Sequence, residues 1–140
     1  MKSDKHNLDY LNLIKEKMYD HDAFSKWLGI ELIEISRGYS KIGMKVRPEM
    51  LNGFFIAHGG ICYSLADSAL AFASNTLGQR AVSIETSISH IKPIKSGQYL
   101  TAIAESVTVG KTLARFTVNI VDDNDKKLAV FHGTVFFIEI

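Results

Sequence analysis

The chain has 140 residues, 46% of them hydrophobic, with two prolines and a formal net charge of +1. This length suits one domain with its own core, and the composition excludes a disordered chain. The near-neutral charge gives no general attraction to nucleic acid or to an anionic membrane, and no apolar run is long enough to span a bilayer. The charged N-terminus does not resemble a signal peptide, and the single cysteine, Cys62, excludes an internal disulfide. We therefore expect a cytoplasmic protein that binds neither nucleic acid nor membrane.

Apolar residues recur at helical spacing over residues 8–19, and residues 20–28 predict a second short helical turn that ends at Gly29. The pattern then changes to runs rich in β-branched residues. Six strands are predicted, over residues 30–35, 39–46, 81–91, 99–109, 112–121 and 127–138. In the third strand we expect Val82, Ile84 and Ile88 to share one face, because side chains alternate along a strand. Short connections between successive strands indicate antiparallel pairing.

Between the second and third strands, residues 52–75 form the stretch around which the rest of the chain is arranged. A glycine-bearing loop leads into residues 61–77, which contain neither proline nor glycine. They are apolar or small on nearly every side, as in a buried helix that Gly78 ends. Asp67 lies in this helix, although Asp is rarely buried without a partner or a task. Gly59-Gly60 could simply start the helix and Asp67 could pair with another group, so the pattern alone leaves its purpose open.

This order of elements (helix, two strands, one long helix, four strands) predicts an α+β fold. A curved antiparallel sheet can wrap a single core helix and so bury its own apolar face together with the helix. We place an N-terminal helical extension at residues 1–28 and the sheet-and-helix domain at residues 29–140.

Three motifs carry a family resemblance: Asn52-Gly53, then His58-Gly59-Gly60, then Leu65-Ala66-Asp67-Ser68-Ala69. Together they resemble the signature of hotdog-fold acyl-CoA thioesterases and are most similar to the phenylacetate-degradation (PaaI-type) branch. Segments 89–93, 96–102 and 110–113 resemble that family as well. The resemblance extends from Gly29 to the C-terminus.

The resemblance implies hydrolysis of an acyl-CoA, either aryl-acetyl or medium-chain, to the free acid and CoA, without metal or organic cofactor. By position, Asp67 is the family's carboxylate, acting as general base on water or as nucleophile. Gly59 matches the residue whose backbone N–H binds the thioester oxygen, Asn52 the side chain that assists it, and His58 the adjacent motif histidine. A glycine at this helix start also removes any side chain that would block the thioester.

Further loop and strand residues complete the set that the resemblance implies. Ser83 matches a strand serine that serves the site in some family members, and loop lysines would hold the pantetheine and phosphates of CoA. The residues expected to bind substrate or CoA are Ser83, His90, Lys92, Pro93, Lys95, Gly110, Lys111 and Thr112. Five apolar residues either line an acyl pocket or belong to the core: Phe54, Phe55, Ile56, Tyr63 and Phe72.

Spacing along the helix predicts that one chain cannot form a complete site. Asp67 follows Gly59 by eight residues, about 12 Å along a helix. Two groups that act on one carbonyl must both lie close to it. A second subunit, with its helix antiparallel across a two-fold axis, would bring its Asp67 to this Gly59. We therefore expect at least a homodimer, as the family's dimeric site also implies, and a homotetramer built as a dimer of dimers.

Two other functional classes stay open. A hotdog hydratase or dehydratase of acyl thioesters needs a histidine and a carboxylate as an acid–base pair, and His58 with Asp67 supplies those types. A non-catalytic acyl-CoA-binding protein usually carries an added DNA-binding segment, whereas residues 1–28 are short and charge-balanced. His90 and His132 have no second histidine or carboxylate at metal-ligand spacing, so no metal site is predicted.

Overall fold

The computed structural model describes the backbone of residues 2–139 and the side chains of residues 9–139. The outermost residues of the two predicted domains, Met1 and Ile140, lie outside the described residues. The helices are α1 (Lys2–Lys17), α2 (Ala23–Leu28) and α3 (Gly59–Ser74), with 3₁₀ turns at Tyr19–His21 and Pro48–Met50. The strands are β1 (Glu31–Ser36), β2 (Tyr39–Lys45), β3 (Arg80–His90), β4 (Tyr99–Val109), β5 (Leu113–Val121) and β6 (Lys127–Ile138).

The six strands form one antiparallel sheet in the order β1-β2-β4-β5-β6-β3, so that β1 and β3 are its edges. The sheet curves around α3, which contacts all six strands. This confirms the predicted α+β arrangement of a sheet wrapped around one long helix.

The core lies between the concave face of the sheet and α3. Leu65, Leu70 and Phe72 of α3 are almost completely buried. Small residues on the facing strands let the helix approach the sheet closely. A Cβ atom at Gly133 in β6 would lie 2.5 Å from Leu70 Cδ2, so the leucine occupies the space that a larger residue would need. Phe72 is therefore a core residue and not part of an acyl pocket.

The N-terminal helices belong to the same core, because Ile14 of α1 and Leu28 of α2 are almost completely buried. The Asp22 carboxylate caps α2 by accepting the Ser25 N–H at 2.9 Å, and Gly29 ends the helix in the left-handed conformation, as predicted. The Ser25 hydroxyl lies 3.0 Å from that of Ser68 in α3. The extension therefore anchors the middle of α3, and the division of the chain at residues 28 and 29 stays a prediction.

Replacing Ser25 by Ala removes this link together with the hydrogen bond that the Ser25 hydroxyl donates to Asp22 Oδ2 at 2.7 Å, while Asp22 Oδ1 can still accept the backbone N–H. We expect the free energy of unfolding to fall by about 1–3 kcal/mol, since the buried Ser68 hydroxyl loses its partner. Urea unfolding of Ser25→Ala beside Ser96→Ala, whose hydroxyl is exposed, measures the difference. Equal stability of the two variants would show that the Ser25–Ser68 contact contributes nothing to the fold.

A β-bulge in β3 changes which of its side chains face the helix. The pairing register with β6 shifts between Ser83 and Glu85, so Ile84 is an extra residue. An inserted residue reverses the alternation, and Val82 and Ile88 therefore lie on opposite faces. The prediction that Val82, Ile84 and Ile88 share one face is wrong, because strict alternation does not survive a bulge.

The ends of α3 also differ from the prediction of residues 61–77. The helix begins at Gly59 and ends at Ser74. It ends early because the Asn75 side-chain amide donates to the Ala71 carbonyl at 2.8 Å, before Gly78 is reached. Gly78, with φ of +89°, instead lies in the turn that leads to β3.

One stripe of α3 is not buried, contrary to the expectation of a helix enclosed on every side. Gly60, Tyr63, Asp67 and Ala71 are partly or fully exposed, and their three- and four-residue spacing places them on one face. Tyr63 keeps 37% of its surface accessible. The elements of the described residues thus leave the face that contains Asp67 open.

Candidate active site

Asp67 lies in a small cavity between α3 and the start of β3. The cavity has a volume of about 270 Å³, and its lining includes Leu70 and Ala71 of α3 and Ser83 of β3. Asp67 is half-buried and, among the described residues, makes no hydrogen bond or ion pair. Burial raises the pKa of its carboxyl group above the ordinary value of 3.8. An unpaired carboxylate in apolar surroundings is a stronger base than one in water.

The first turn of α3 leaves one N–H group without a partner. His58 caps the helix, because its Nδ1 accepts the Gly60 N–H at 2.9 Å, and its carbonyl accepts the Ile61 N–H. The Gly59 N–H has no acceptor among the described residues. This group lies at the positive end of the helix dipole, where partial negative charge is stabilised. The structure thus gives His58 a capping position beside an available N–H donor at Gly59.

The imidazole of His90 fills the space next to Gly59. A Cβ atom at Gly59 would lie 3.1 Å from His90 Nε2. The glycine is therefore explained by the close approach of His90, and not only by access for a ligand as the sequence suggested. Because of the bulge in β3, Ser83 and His90 both face α3, Ser83 at the Asp67 cavity and His90 at the helix start.

The loop before α3 is held by the side chain of Asn52. Its Oδ1 accepts the N–H groups of Phe54 and Ile56 at 2.9 and 3.3 Å. Two N–H donors identify that atom as the oxygen, which leaves the Nδ2 amide group free to donate. Phe54 and Phe55 are 85% and 81% exposed on this loop. Neither of them lines the cavity of Asp67.

The predicted site residues divide into two groups at opposite ends of the domain. The Gly59 end consists of Asn52, His58, Gly59, His90, Lys92, Pro93 and Lys95, and the loop after β3 joins it because the Ala57 N–H donates to the Ile94 carbonyl at 2.7 Å. The Asp67 end consists of Asp67, Ser83, Gly110, Lys111 and Thr112, where the Thr112 carbonyl accepts the Phe137 N–H. Strand β4, about 33 Å long, separates the two lysine-bearing loops.

The two ends do not meet within one chain. Gly59 and Asp67 lie on one continuous helix, so the predicted axial separation of about 12 Å holds in the structure. Neither Asn52, His58 nor Gly59 lines the cavity of Asp67.

Residues 55–129 match the family described as the thioesterase superfamily. Over 116 residues the chain is 39% identical to the acyl-coenzyme A thioesterase PaaI of Escherichia coli, with 83% of each protein covered. The chain belongs to the thioesterase superfamily.

Further similar proteins extend this match. The solved structure of the Escherichia coli PaaI protein has a TM-score of 0.90 and covers 94% of this chain and 95% of its own, at 35% identity. Human acyl-coenzyme A thioesterase 13 is 32% identical over 108 residues, which are 75% of this chain and 77% of the human protein. Smu.793 of Streptococcus mutans, solved bound to acetyl CoA, has a TM-score of 0.76 at 25% identity and covers 78% of this chain and 88% of its own. The predicted hotdog fold is confirmed.

Other reactive groups in this thioesterase superfamily member are placed less favourably for chemistry. Cys62 is 2% exposed, and burial raises the pKa of its thiol to about 11, so it is a core side chain. Within residues 9–139, no three His, Cys, Asp or Glu side chains are grouped as metal ligands would be. No described helix combines the length and apolar character needed to cross a membrane.

Sequence reasoning missed two residues of the Asp67 cavity and the contacts that Tyr63 makes. Met18 and Asn75 line the Asp67 cavity, although Met18 lies 49 residues before Asp67 in the chain. Tyr63 of α3 hydrogen-bonds Thr86 of β3 and packs edge-on against Phe131. The tertiary packing of α1 brings Met18 to the cavity, and no local sequence pattern indicates that packing.

Proposed function

We propose that this chain hydrolyses acyl-CoA thioesters to a carboxylic acid and CoA, without metal or organic cofactor. The observation that carries the proposal is the half-buried Asp67 carboxylate, which has no partner among the described residues and whose pKa is raised by burial in its cavity. A buried charge without a partner is unfavourable for stability and is therefore typical of a functional site. The names of the Escherichia coli and human relatives, both acyl-coenzyme A thioesterases, support the same reaction.

In the proposed reaction, hydrogen-bond donors bind the thioester oxygen, and a carboxylate either activates water or itself attacks the carbonyl carbon. The Gly59 N–H and the Asn52 Nδ2 group bind the thioester oxygen as negative charge develops on it. As general base, Asp67 takes a proton from water while the water oxygen bonds to the carbonyl carbon. The C–S bond then breaks, and the proton held by Asp67 passes to the leaving sulfur to give CoA thiol and the carboxylic acid. As nucleophile, Asp67 would attack the carbonyl carbon and expel the CoA thiolate, which takes its proton from water, to form an acyl anhydride that water cleaves to two carboxylates in a second step. Both routes need the ionised carboxylate.

We further propose that two subunits build each site. The open stripe of α3 and the unpaired edge strand β3 are on the side where a second copy would have to lie. An antiparallel, two-fold arrangement brings the Gly59 end of one chain to the Asp67 end of its partner. It also brings the two lysine-bearing loops, which are far apart in one chain, to one substrate. Two such dimers would form the expected homotetramer, and native mass spectrometry measures which assembly is present.

The lysines of these loops are proposed to bind the phosphates of CoA. Replacing Lys92, Lys95 and Lys111 together by Ala is expected to raise KM with little change in kcat, because phosphate contacts are equally strong in the ground and transition states. Added salt should raise KM for the wild type and much less for the triple variant. Steady-state kinetics at several salt concentrations measure both effects. Lys26→Ala, an exposed lysine on α2, is the matched control, and an unchanged KM in the triple variant would rule out this role.

Assays of three activities separate the proposal from its rivals. Thiol release from acyl-CoA reports hydrolysis, loss of the enoyl absorbance reports hydration, and calorimetry with acyl-CoA reports binding without turnover. The Nδ1 of His58 accepts the Gly60 N–H in the helix cap, so this nitrogen is not available for proton transfer. This placement does not favour the acid–base pair of a hydratase. Thiol release without hydration is the expected result, and binding with no thiol release would overturn the proposal.

A further inference from the structure

A second cavity lies beneath α1, beside the cavity of Asp67. Its volume is about 680 Å³, within the usual range of small-molecule pockets, roughly 300–1,000 Å³. Its buried or half-buried walls are mainly apolar, formed by Tyr10, Leu13 and Ile14 of α1 and by Ala81 of β3. The same part of the lining includes the polar residues Asn75 and Thr76. Apolar walls with a few polar groups are typical of a small-molecule pocket.

The two cavities adjoin each other. Both are lined by Met18, Asn75, Ala81 and Val82, so these four residues form the neck between them. α3 covers about 12 Å from Asp67 to Asn75, a distance suited to an acyl chain of medium length. A chain whose carbonyl is attacked at Asp67 would therefore have an apolar path past Met18 to α1.

The far side of the second cavity is polar. Its exposed lining residues are Lys17, Arg37, Gln79 and Arg80, and the three cations have no ion-pair partner among the described residues. Binding of an apolar chain end is favourable among Leu13, Ile14 and Met18, because apolar surface is buried there. Binding becomes unfavourable where the chain end reaches the charged rim, because charged groups would lose water. The rim thus sets an upper limit to the length of chain that the cavity accepts.

From this geometry we infer that α1 forms the wall of the acyl pocket, and that the acyl chain of a medium-chain acyl-CoA runs from Asp67 past Met18 into the cavity beneath α1. The inference rests on the proposed thioesterase function. It makes Leu13 and Met18 determinants of acyl-chain length. An acetyl group is too short to reach these residues, so the hydrolysis of acetyl-CoA should not depend on them.

The test compares acetyl-CoA with octanoyl-CoA as substrates of Leu13→Trp. The larger side chain fills the cavity, and the ratio of kcat/KM for octanoyl-CoA to that for acetyl-CoA should fall by about tenfold or more, the effect of losing a few methylene contacts. Asn12→Trp, which adds the same side chain on the exposed side of α1, should keep the wild-type ratio. A folded Leu13→Trp protein that hydrolyses both substrates in the wild-type ratio would overturn the inference.

A second variant covers the case in which Leu13→Trp does not fold. Leu13→Ala widens the cavity, and the ratio for dodecanoyl-CoA over octanoyl-CoA should rise several-fold. An unchanged ratio would also overturn the inference. Failure of the proposed function has a different signature: the wild-type protein would then release no thiol from acetyl-, octanoyl- or dodecanoyl-CoA, and the acyl-pocket inference would fail with it.

Discussion

Thiol release from acyl-CoA is expected to slow by roughly 10² or more when Asp67 is replaced by Asn, the factor that a general base supplies. The amide has nearly the shape of the carboxylate but cannot accept the proton of water or attack the carbonyl. Acyl-CoA binding should survive, because the walls of the cavity are unchanged. Steady-state kinetics with Asp123→Asn as control, an exposed carboxylate on the turn before β6, measure the effect.

The same variant should be more stable than the wild type at neutral pH. Burial raises the pKa of Asp67 in the folded protein, so the native state binds a proton more tightly than the unfolded chain. Stability contributed by the protonated form is therefore lost as pH rises from the unfolded pKa through the raised one. Because Asn carries no charge, the free energy of unfolding of the variant does not fall over this pH range for this reason. An Asp67→Asn protein with wild-type turnover would assign Asp67 a purely structural role and refute the mechanism.

Activity should return when two inactive variants share one dimer. Asp67→Ala lacks the carboxylate, and Asn52→Asp lacks the Nδ2 donor while its oxygen can still accept the N–H groups that hold the loop. Loss of an oxyanion donor typically lowers kcat by about 10²–10³. In a mixed dimer, one site takes Asn52 from the first chain and Asp67 from the second and is intact, whereas the other site lacks both.

The expected recovery follows from random pairing. Refolding equal amounts together gives mixed dimers in about half of the population, each with one good site of two, so activity should reach about a quarter of the wild type. Differently tagged chains verify that mixed dimers are present, and each variant refolded alone is the control. Mixed dimers with no more activity than their parents would refute a site built across the two-fold axis.

The sequence predicted the architecture well because its signals are local. Hydrophobic spacing and turn residues located β4 and β6 at the bounds that the structure has, and the isolated carboxylate at Asp67 was recognisable without coordinates. Which side chains of β3 face α3 was not predictable. The bulge at Ile84 depends on pairing with β6, and the alternation of residues within β3 does not reveal it. The position of His90 beside Gly59 follows from that bulge.

The acyl pocket illustrates a second reason why part of the site could not be predicted from the sequence. Met18 belongs to the apolar spacing that predicted the first helix, whereas Leu13 is not part of that spacing. That they face a cavity and not solid packing depends on how α1 crosses the end of the sheet. A pattern along one helix contains no information about the space left between two elements.

The position of β3 at the edge of the sheet has a consequence for synthesis of the protein. β3 follows α3 in the chain, yet among the described strands its only neighbour in the sheet is β6. Fifty-eight residues separate Arg80, where β3 begins, from Ile138, where β6 ends, which at roughly 5–20 residues per second takes a ribosome about 3–12 s. During that interval Val82 and Ile84, both exposed in the folded chain, lie on a strand with two unpaired edges, and such strands aggregate readily. The nascent chain is thus most in need of a chaperone after α3 has emerged and before β6 has.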